Sequence, residues 1–278
     1  MAFRAVITDL DGTLFNEFHE VSEYTAETLR LLRKKGIPIV FATGRPHPDV
    51  FHTVDNCGLE GGYLITSNGA RVFDPQRRVI ASHDLEPDVV AELLAIKLDD
   101  EDAAAFAGEK QPLFTANMYQ HEAWVTNHGL ERMLTAYPRS GFRYEEVDLT
   151  THPRDGVHAV FYVGKEEVLV RLEKVLKREF EGRVEHNLSV RTVLDAVRPG
   201  VNKGKALCEV AQLLGLSEKD FIAFGDGMND RKMLQLAGKG CIMDNAQARL
   251  KEALPQLEVI GRNTEDAVAK KLREVFDL

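Results

Sequence analysis

Two aspartates, Asp9 and Asp11, stand where a short apolar run, Ala5-Val6-Ile7-Thr8, gives way to Gly12 and Thr13. Side chains two apart on an extended segment point to the same side, so both carboxylates can face one reacting group. One can attack as a nucleophile while the other gives and takes protons. Carboxylate oxygens are hard ligands, so the pair also suits Mg2+. A polar turn accounts for the same residues, because Asp and Gly are common turn formers. Phe41-Ala42-Thr43-Gly44-Arg45 again ends an apolar run in polar groups. A hydroxyl on Thr43, backbone N–H groups near Gly44 and a helix start can hold phosphate oxygens. Arg45 can add a charge-assisted contact. Taken alone, a strand-to-helix turn capped by threonine explains that segment better.

Two further segments carry the remaining groups. Lys203 lies at an expected helix start, where a cation opposes the helix dipole. Local rules of this kind tend to fail at functional sites, although a lone lysine is usually a solvated surface residue. Phe221-Ile222-Ala223-Phe224 runs straight into Gly225-Asp226-Gly227-Met228-Asn229-Asp230. Asp226 can complete a metal shell begun by Asp9 and Asp11. Asp230 can act as an outer ligand or orient Lys203, and Asn229 can donate to phosphate. A capped Asp/Asn/Gly loop would explain this segment by itself. Together the four supply a nucleophile, a proton carrier, a metal cage and a cation. Phosphoryl transfer needs mainly such positioning and charge neutralisation.

These residues need a scaffold that gathers them. From the start of the chain the pattern is strand, turn, helix, strand. A strand is expected at 5–8, a helix from a Ser22 cap to Lys35 with a stop at Gly36, and a strand at 37–42. A helix to about Asn56 follows Pro46 and Pro48, then a strand at 63–66. Ser67-Asn68-Gly69 signals a turn before short strands at 70–73 and 78–82. The middle differs. Helical stretches at 87–97 and 165–180 flank alternating runs such as 123–126 and 158–163, as in an α+β unit. The end returns to the first pattern, with helices at 203–214 and 228–237, strands at 221–224, 240–243 and 259–260, and a terminal helix at 264–276. Thr264 with Glu265-Asp266 behind it reads as the start of that helix. Alternating β and α elements imply a parallel sheet covered on both faces. The expected fold class is therefore α/β, a Rossmann-like doubly wound core with an inserted α+β unit. Its expected spans are 1–82 and 196–278 for the core and 83–195 for the insertion.

Bulk properties agree with an enzyme of small molecules. A chain of 278 residues suits about two domains. The net charge of −9 disfavours nucleic acid and anionic membranes as partners. It also means that a bound phosphate needs dedicated cations. The cysteines, Cys57, Cys208 and Cys241, are odd in number and form no C-x-x-C pair, which argues against disulfides and zinc. The beginning of the chain lacks the charged leader and apolar run of a signal peptide, so a cytoplasmic location is the expectation. Monomer and homodimer are both left open.

The four segments resemble the four motifs of the haloacid dehalogenase-like (HAD) superfamily. DLDGTL is similar to the first motif, Thr43 in ATGR to the second, Lys203 in VNKG to the third and GDGMND to the fourth. The inserted middle after the second motif resembles the Cof-type subfamily IIB, with its C2B-type α+β cap. Ser67-Asn68-Gly69-Ala70 and the Leu236–Met243 stretch look like bacterial pyridoxal phosphate and sugar phosphatases of that subfamily. The resemblance implies Mg2+-dependent hydrolysis of a small phosphorylated metabolite. In that scheme Asp9 becomes phosphorylated, and Asp11 protonates the leaving group and then activates water. Mg2+ is held by the Asp9 side chain, the Asp11 backbone carbonyl and Asp226. Thr43, Gly44, Lys203, Asn229 and the Leu10 backbone hold phosphate, with Arg45, Asn68, Gly227 and Asp230 in support. Asp195-Ala196 departs from the Glu-Ile that many relatives carry before the third motif, which touches the junction with the cap and leaves the chemistry intact.

The resemblance also implies that the cap chooses the substrate. Tyr119, Trp124 and Arg191 are candidates for that choice, although packing or surface roles explain each more simply. His121, His128, His152, His158 and His186 fall in the same span, but their spacing fits no common zinc pattern. Two other functions compete. A phosphomutase or phosphotransferase would use the same carboxylates. A non-catalytic sensor of a phosphorylated ligand would need neither Asp9 nor Asp11.

Overall fold

The computed structural model of the chain describes residues 3–110, 112–134, 137 and 140–278. Positions 1 and 2 of the expected core, and 111, 135, 136, 138 and 139 of the expected insertion, lie outside the described residues. Two compact units are present, one of residues 1–45, 50–81 and 202–278, the other of residues 46–49 and 82–201.

In chain order the elements are β1 (Ala5–Asp9), α1 (Glu23–Lys34), β2 (Ile39–Ala42), α2 (His47–Asn56), β3 (Tyr63–Thr66), β4 (Arg71–Phe73) and β5 (Val79–Ser82). Then come α3 (Pro87–Leu94), α4 (Asp100–Ala104), β6 (Phe114–Gln120), β7 (Ala123–Thr126), α5 (Glu131–Leu134), β8 (Tyr144–Glu146), β9 (Val157–Gly164), α6 (Glu166–Glu179), β10 (Glu185–Val190) and β11 (Val193–Val197). The chain finishes with α7 (Lys203–Leu213), β12 (Phe221–Gly225), α8 (Arg231–Leu236), β13 (Lys239–Ile242), α9 (Ala248–Ala253), β14 (Glu258–Val259) and α10 (Ala267–Phe276).

The first unit is the expected doubly wound core. Its eight-stranded sheet has the order β14-β13-β12-β1-β2-β3-β4-β5. The central pairs β12–β1, β1–β2 and β2–β3 are parallel, and β4 returns antiparallel to β3. β1, β2 and β12 are buried along their whole length, as strands covered on both faces must be. Alternation divides them between two cores. Val6, Phe41 and Phe224 pack with Leu29 and Leu32 of α1 and Val268 and Leu272 of α10. Ile7, Val40 and Ala223 pack with Leu207 and Val210 of α7 and Met233 and Leu234 of α8. Ser22 caps α1 as expected, its hydroxyl accepting from the Thr25 amide at 3.1 Å.

The second unit holds a six-stranded sheet of order β10-β11-β9-β6-β7-β8. Its pairs are antiparallel except β7–β8. Met118, Val125, Val160, Tyr162 and Leu194 point to one face and pack on Val90 and Leu93 of α3 and Leu169, Leu172 and Leu176 of α6. The buried Tyr162 hydroxyl donates to the Leu93 carbonyl at 2.8 Å, which satisfies a polar group that burial would otherwise penalise.

Several expectations need correction. Residues 196–201, read as core, group with the second unit, because β11 continues through Val197 and pairs Ala196 with Val160 and Val197 with Glu185. Asp195 likewise sits in that sheet, opposite Phe161 and Asn187. The terminal helix does not begin at Thr264. Residues 263–265 form one tight turn, and Asp266 adopts a left-handed φ of 55° before α10 starts at Ala267. The Asp266 carboxylate accepts from Ser22 Oγ at 2.5 Å and Thr25 Oγ1 at 2.9 Å, so it is committed to the start of α1. The helix read at 228–237 is a short 3-10 turn, Met228–Asp230, followed by α8. Strands β6, β8 and β10 lie outside the expected elements, while β11 holds Asp195-Ala196, expected from the resemblance to form the strand before the third motif.

Candidate active site

Three adjacent parallel strands deliver the chemistry to one edge of the first unit's sheet. Thr8 is level with Phe224, and Asp9 with Ala42. The turns after β1, β2 and β12 therefore emerge side by side, where open α/β sheets bind ligands. One oxygen each from Asp9, Asp226 and Asp230 lies within 4.8 Å of the others. This is the one such grouping of potential metal ligands among the described residues. The histidines of the second unit form none.

Lys203 meets this cluster from the first turn of α7. Its side chain is fully buried, and Nζ donates to Asp9 Oδ1 and Asp230 Oδ1, both at 2.6 Å. Those contacts account for a cation at a helix start. The N-cap itself is provided by Asn202, whose side chain accepts from the Lys205 amide at 3.0 Å. Asp230 has a second task. Its Oδ2 accepts from the backbone amides of Asp226 and Gly227 at 3.0 and 2.9 Å, so the carboxylate shapes the loop that presents Asp226. Gly225 is required for this approach, since a Cβ there would lie 2.5 Å from Asp230 Cβ.

Gly12 is required in the same way. Its φ of 76° lies in the left-handed region, and a Cβ would fall 2.6 Å from Asp226 Oδ2. The missing side chain lets the first turn lie against the Asp226 carboxylate. Thr13 Oγ1 donates to Asp226 Oδ1 at 3.2 Å. Asn245, just beyond β13, donates from Nδ2 to the Gly12 carbonyl at 2.7 Å and holds the turn from outside. No spacing rule had pointed to Thr13 or Asn245. The signal for Asn245 was its place after a parallel strand, the same rule that found Asp9 and Asp226.

The second motif lies beside them. Thr43 is buried, and its Oγ1 accepts from the Arg45 amide at 3.1 Å. Its carbonyl accepts from the Asn68 amide at 3.0 Å. Asn68 Oδ1 in turn accepts from Asn229 Nδ2 at 2.9 Å, which joins the loop after β3 to the loop after β12. Ser67 and Asn68 both have positive φ, 47° and 55°. Strained backbone of this kind collects at functional sites. The Leu10 side chain is buried in the core, which leaves its backbone to the turn.

Arg45 pairs with Asp11. Its Nε and Nη2 donate to Asp11 Oδ2 and Oδ1, each at 2.6 Å. His19 completes the arrangement, with Nδ1 3.1 Å from Asp11 Oδ1 and 3.0 Å from Arg45 Nη2. Asp11 is thus turned to Arg45, and its side chain is outside the Asp9, Asp226 and Asp230 grouping. His19 lacked any motif signal, because its contact depends on how the loop 15–22 folds back.

The charges respond to this geometry. Burial pushes Asp9 well above the usual carboxylate range, opposed by Lys203 and aided by Asp230 and Asp226. Burial also raises Asp226, to about 7, with Asp230 adding to it. Burial works against the Lys203 ammonium, but Asp230 and Asp9 outweigh it and hold Lys203 above its ordinary value. Lys203 therefore stays charged, and the excess of three carboxylates over one ammonium falls on Asp9 and Asp226. Asp11 goes the other way. Burial would raise it, but the Arg45 charge and hydrogen bonds from His19 and Arg45 drive it well below the ordinary range. A buried excess of negative charge built from hard oxygen donors fits a divalent cation of the Mg2+ kind.

No helix among the described residues is long and apolar enough to cross a membrane. The family of haloacid dehalogenase-like hydrolases matches residues 6–272 of the chain. A relative from Haemophilus influenzae is 42% identical over 279 residues, covering 100% of this chain and 98% of its own. An HMP-PP phosphatase of Serratia proteamaculans is 35% identical over 272 residues, covering 98% and 94%. Among solved structures, a haloacid dehalogenase-like hydrolase from Bacteroides thetaiotaomicron has a TM-score of 0.79 at 26% identity, over 99% of this chain and 100% of that one. The match spans both segments of the core and the unit inserted between them, and the chain belongs to the haloacid dehalogenase-like hydrolase family.

Proposed function

We propose that the chain is a Mg2+-dependent phosphatase that hydrolyses small phosphomonoesters through a phosphorylated Asp9. The observation that carries this reading is the gathering of Asp9, Asp226 and Asp230 within 4.8 Å, with Lys203 bonded to two of them. The Asp9 and Asp226 carboxylates, with the Asp11 backbone carbonyl, are the groups to hold Mg2+. When bound, the ion offsets the negative charge that otherwise keeps a phosphate dianion away from a carboxylate nucleophile.

The chain's own residues do the rest. An Asp9 oxygen attacks phosphorus, a P–O(Asp9) bond forms, and the P–O bond to the leaving group breaks. Asp11 gives its proton to the departing oxygen, then takes one from the water that cleaves the acyl phosphate. Inorganic phosphate leaves and Asp9 is regenerated. Thr43 Oγ1, the backbone at Leu10 and Gly44, Lys203 and Asn229 neutralise and orient the phosphoryl oxygens. Asn68 and Gly227 keep the flanking loops in register, and Asp230 keeps Lys203 and the Asp226 loop in place. While Asp11 is paired with Arg45 it cannot donate a proton, so turnover includes release of this pair. The second unit, by the same reading, selects the organic part of the substrate.

The test is phosphate release from a panel of phosphorylated metabolites, with and without Mg2+. Sugar phosphates and pyridoxal 5′-phosphate belong on it, as does HMP-PP, because relatives bear its name. Asp9→Asn is expected to lower kcat by at least about a thousandfold, with circular dichroism unchanged. Parental turnover in that variant would exclude Asp9 as nucleophile.

A further inference from the structure

One face of the second unit's sheet is closed by α3 and α6. The other face carries a cavity of about 200 Å³. Tyr119 of β6, Trp124 of β7 and Phe161 of β9 line it, joined by Tyr137, Met133 and Val193. Register explains this convergence. Tyr119 is opposite Trp124, and Phe161 is opposite Asn117, so alternate residues of three neighbouring strands emerge on the face that the helices leave uncovered.

The walls are aromatic and steeply set. The Trp124 and Tyr137 rings meet at 88° with centroids 5.6 Å apart, Tyr119 and Trp124 at 70° and 6.3 Å, and Tyr119 and Phe161 at 34° and 4.5 Å. A flat ring entering such a space meets one wall face-on and another edge-on, the two arrangements aromatic pairs favour. The volume suffices, since an apolar cavity of roughly 150 Å³ takes up benzene.

The polar groups narrow the choice. Among the described residues no Lys, Arg, Asp or Glu lines the cavity, so those residues offer no charge to a phosphate or carboxylate. The Trp124 indole N–H is committed to Asn117 Oδ1 at 3.0 Å, and Asn117 Nδ2 to the Thr115 carbonyl at 3.1 Å. A sugar, which needs a partner for each of several hydroxyls, finds those groups already engaged. The hydroxyls among the described wall residues are those of Thr192 and of the Tyr119–Tyr137 pair, 2.6 Å apart, whose oxygens can act as acceptors.

We propose that this cavity is a binding site for a small, neutral, planar aromatic or heteroaromatic molecule bearing one hydrogen-bonding substituent. The site lies wholly within the second unit and stands whether or not the chain is a phosphatase.

Trp124 is the only tryptophan in the chain, so its emission reports on the cavity directly. The probes are benzyl alcohol and 4-pyridinemethanol, with cyclohexylmethanol and glucose as non-planar controls. None carries phosphate, so binding is read apart from turnover. Saturable change is expected for both planar alcohols, with a dissociation constant on the order of 1 mM or tighter. Both controls are expected to bind at least about tenfold more weakly. Val193→Phe, at a half-buried rim position, fills the cavity and removes binding. Tyr137→Phe keeps every ring and weakens 4-pyridinemethanol by roughly two- to tenfold, which gives a second readout if Val193→Phe does not fold. Absence of saturation by either planar alcohol to about 10 mM, or equal binding of cyclohexylmethanol, would overturn the proposal. So would parental affinity in a folded Val193→Phe protein or in Tyr137→Phe.

Discussion

Removing the Lys203 ammonium tests the electrostatic logic of the site most directly. Lys203→Met keeps the length and apolar stem of the side chain but leaves Asp9, Asp226 and Asp230 within 4.8 Å of one another with no cation among them. Lys203 is fully buried and bonded at 2.6 Å to two carboxylates. Taking one partner from a buried pair costs about 3–5 kcal/mol, because the other charge remains buried and unpaired. Two partners put Lys203→Met toward the upper end. At roughly 2–4 °C per kcal/mol, thermal unfolding in EDTA at pH 8 is expected to fall by on the order of 10 °C. Added Mg2+ then stabilises the variant more than the parent, since a cation that binds only the folded state adds RT ln(1 + [L]/Kd) and the variant site is the more negative. Turnover is expected to be lost in either buffer. A metal-free loss below about 1 kcal/mol, or a smaller gain from Mg2+ than the parent shows, would refute the view that Lys203 balances this cluster.

Three further outcomes follow from the same geometry. Asp226 titrates near 7 in the folded chain against about 3.9 when unfolded, so the metal-free fold holds a proton that the unfolded chain has lost. Its stability is therefore expected to fall as pH rises from about 4 to 7, while calorimetry finds Mg2+ binding tightening as pH rises over the same range, because protons must leave for the ion to bind. Gly12→Ala forces a side chain into a φ of 76° and to 2.6 Å from Asp226 Oδ2; denaturant unfolding is expected to show a loss of about 1–3 kcal/mol, with weaker Mg2+ binding. Arg45→Met removes the main charge holding Asp11 ionised, so Asp11 keeps its proton to higher pH, and the alkaline limb of kcat/KM is expected to move upward by a measurable fraction of a unit.

Local chemistry was legible wherever an apolar strand ended in polar groups. Asp9, Thr43 and Asp226 each follow a strand that reads as buried, and each emerges at the same sheet edge. Residues whose role depends on a fold-back were silent. His19 reaches Asp11 only because the loop after β1 returns. The start of α10 misled for a related reason. Asp266 has the composition of a first helical turn, but its carboxylate is claimed by Ser22 and Thr25, some 240 residues away in the chain.

What the sequence alone determined was the class of chemistry and the succession of core strands and helices along the chain. Those follow from residue type and hydrophobic period, which are local. The tertiary structure decided which carboxylate pairs with which cation. Lys203 took Asp9 and Asp230, while Arg45 took Asp11. It also decided which strand faces carry the second unit's aromatic cavity. Such choices rest on ångström-scale distances between side chains far apart in the chain, and no periodicity encodes them.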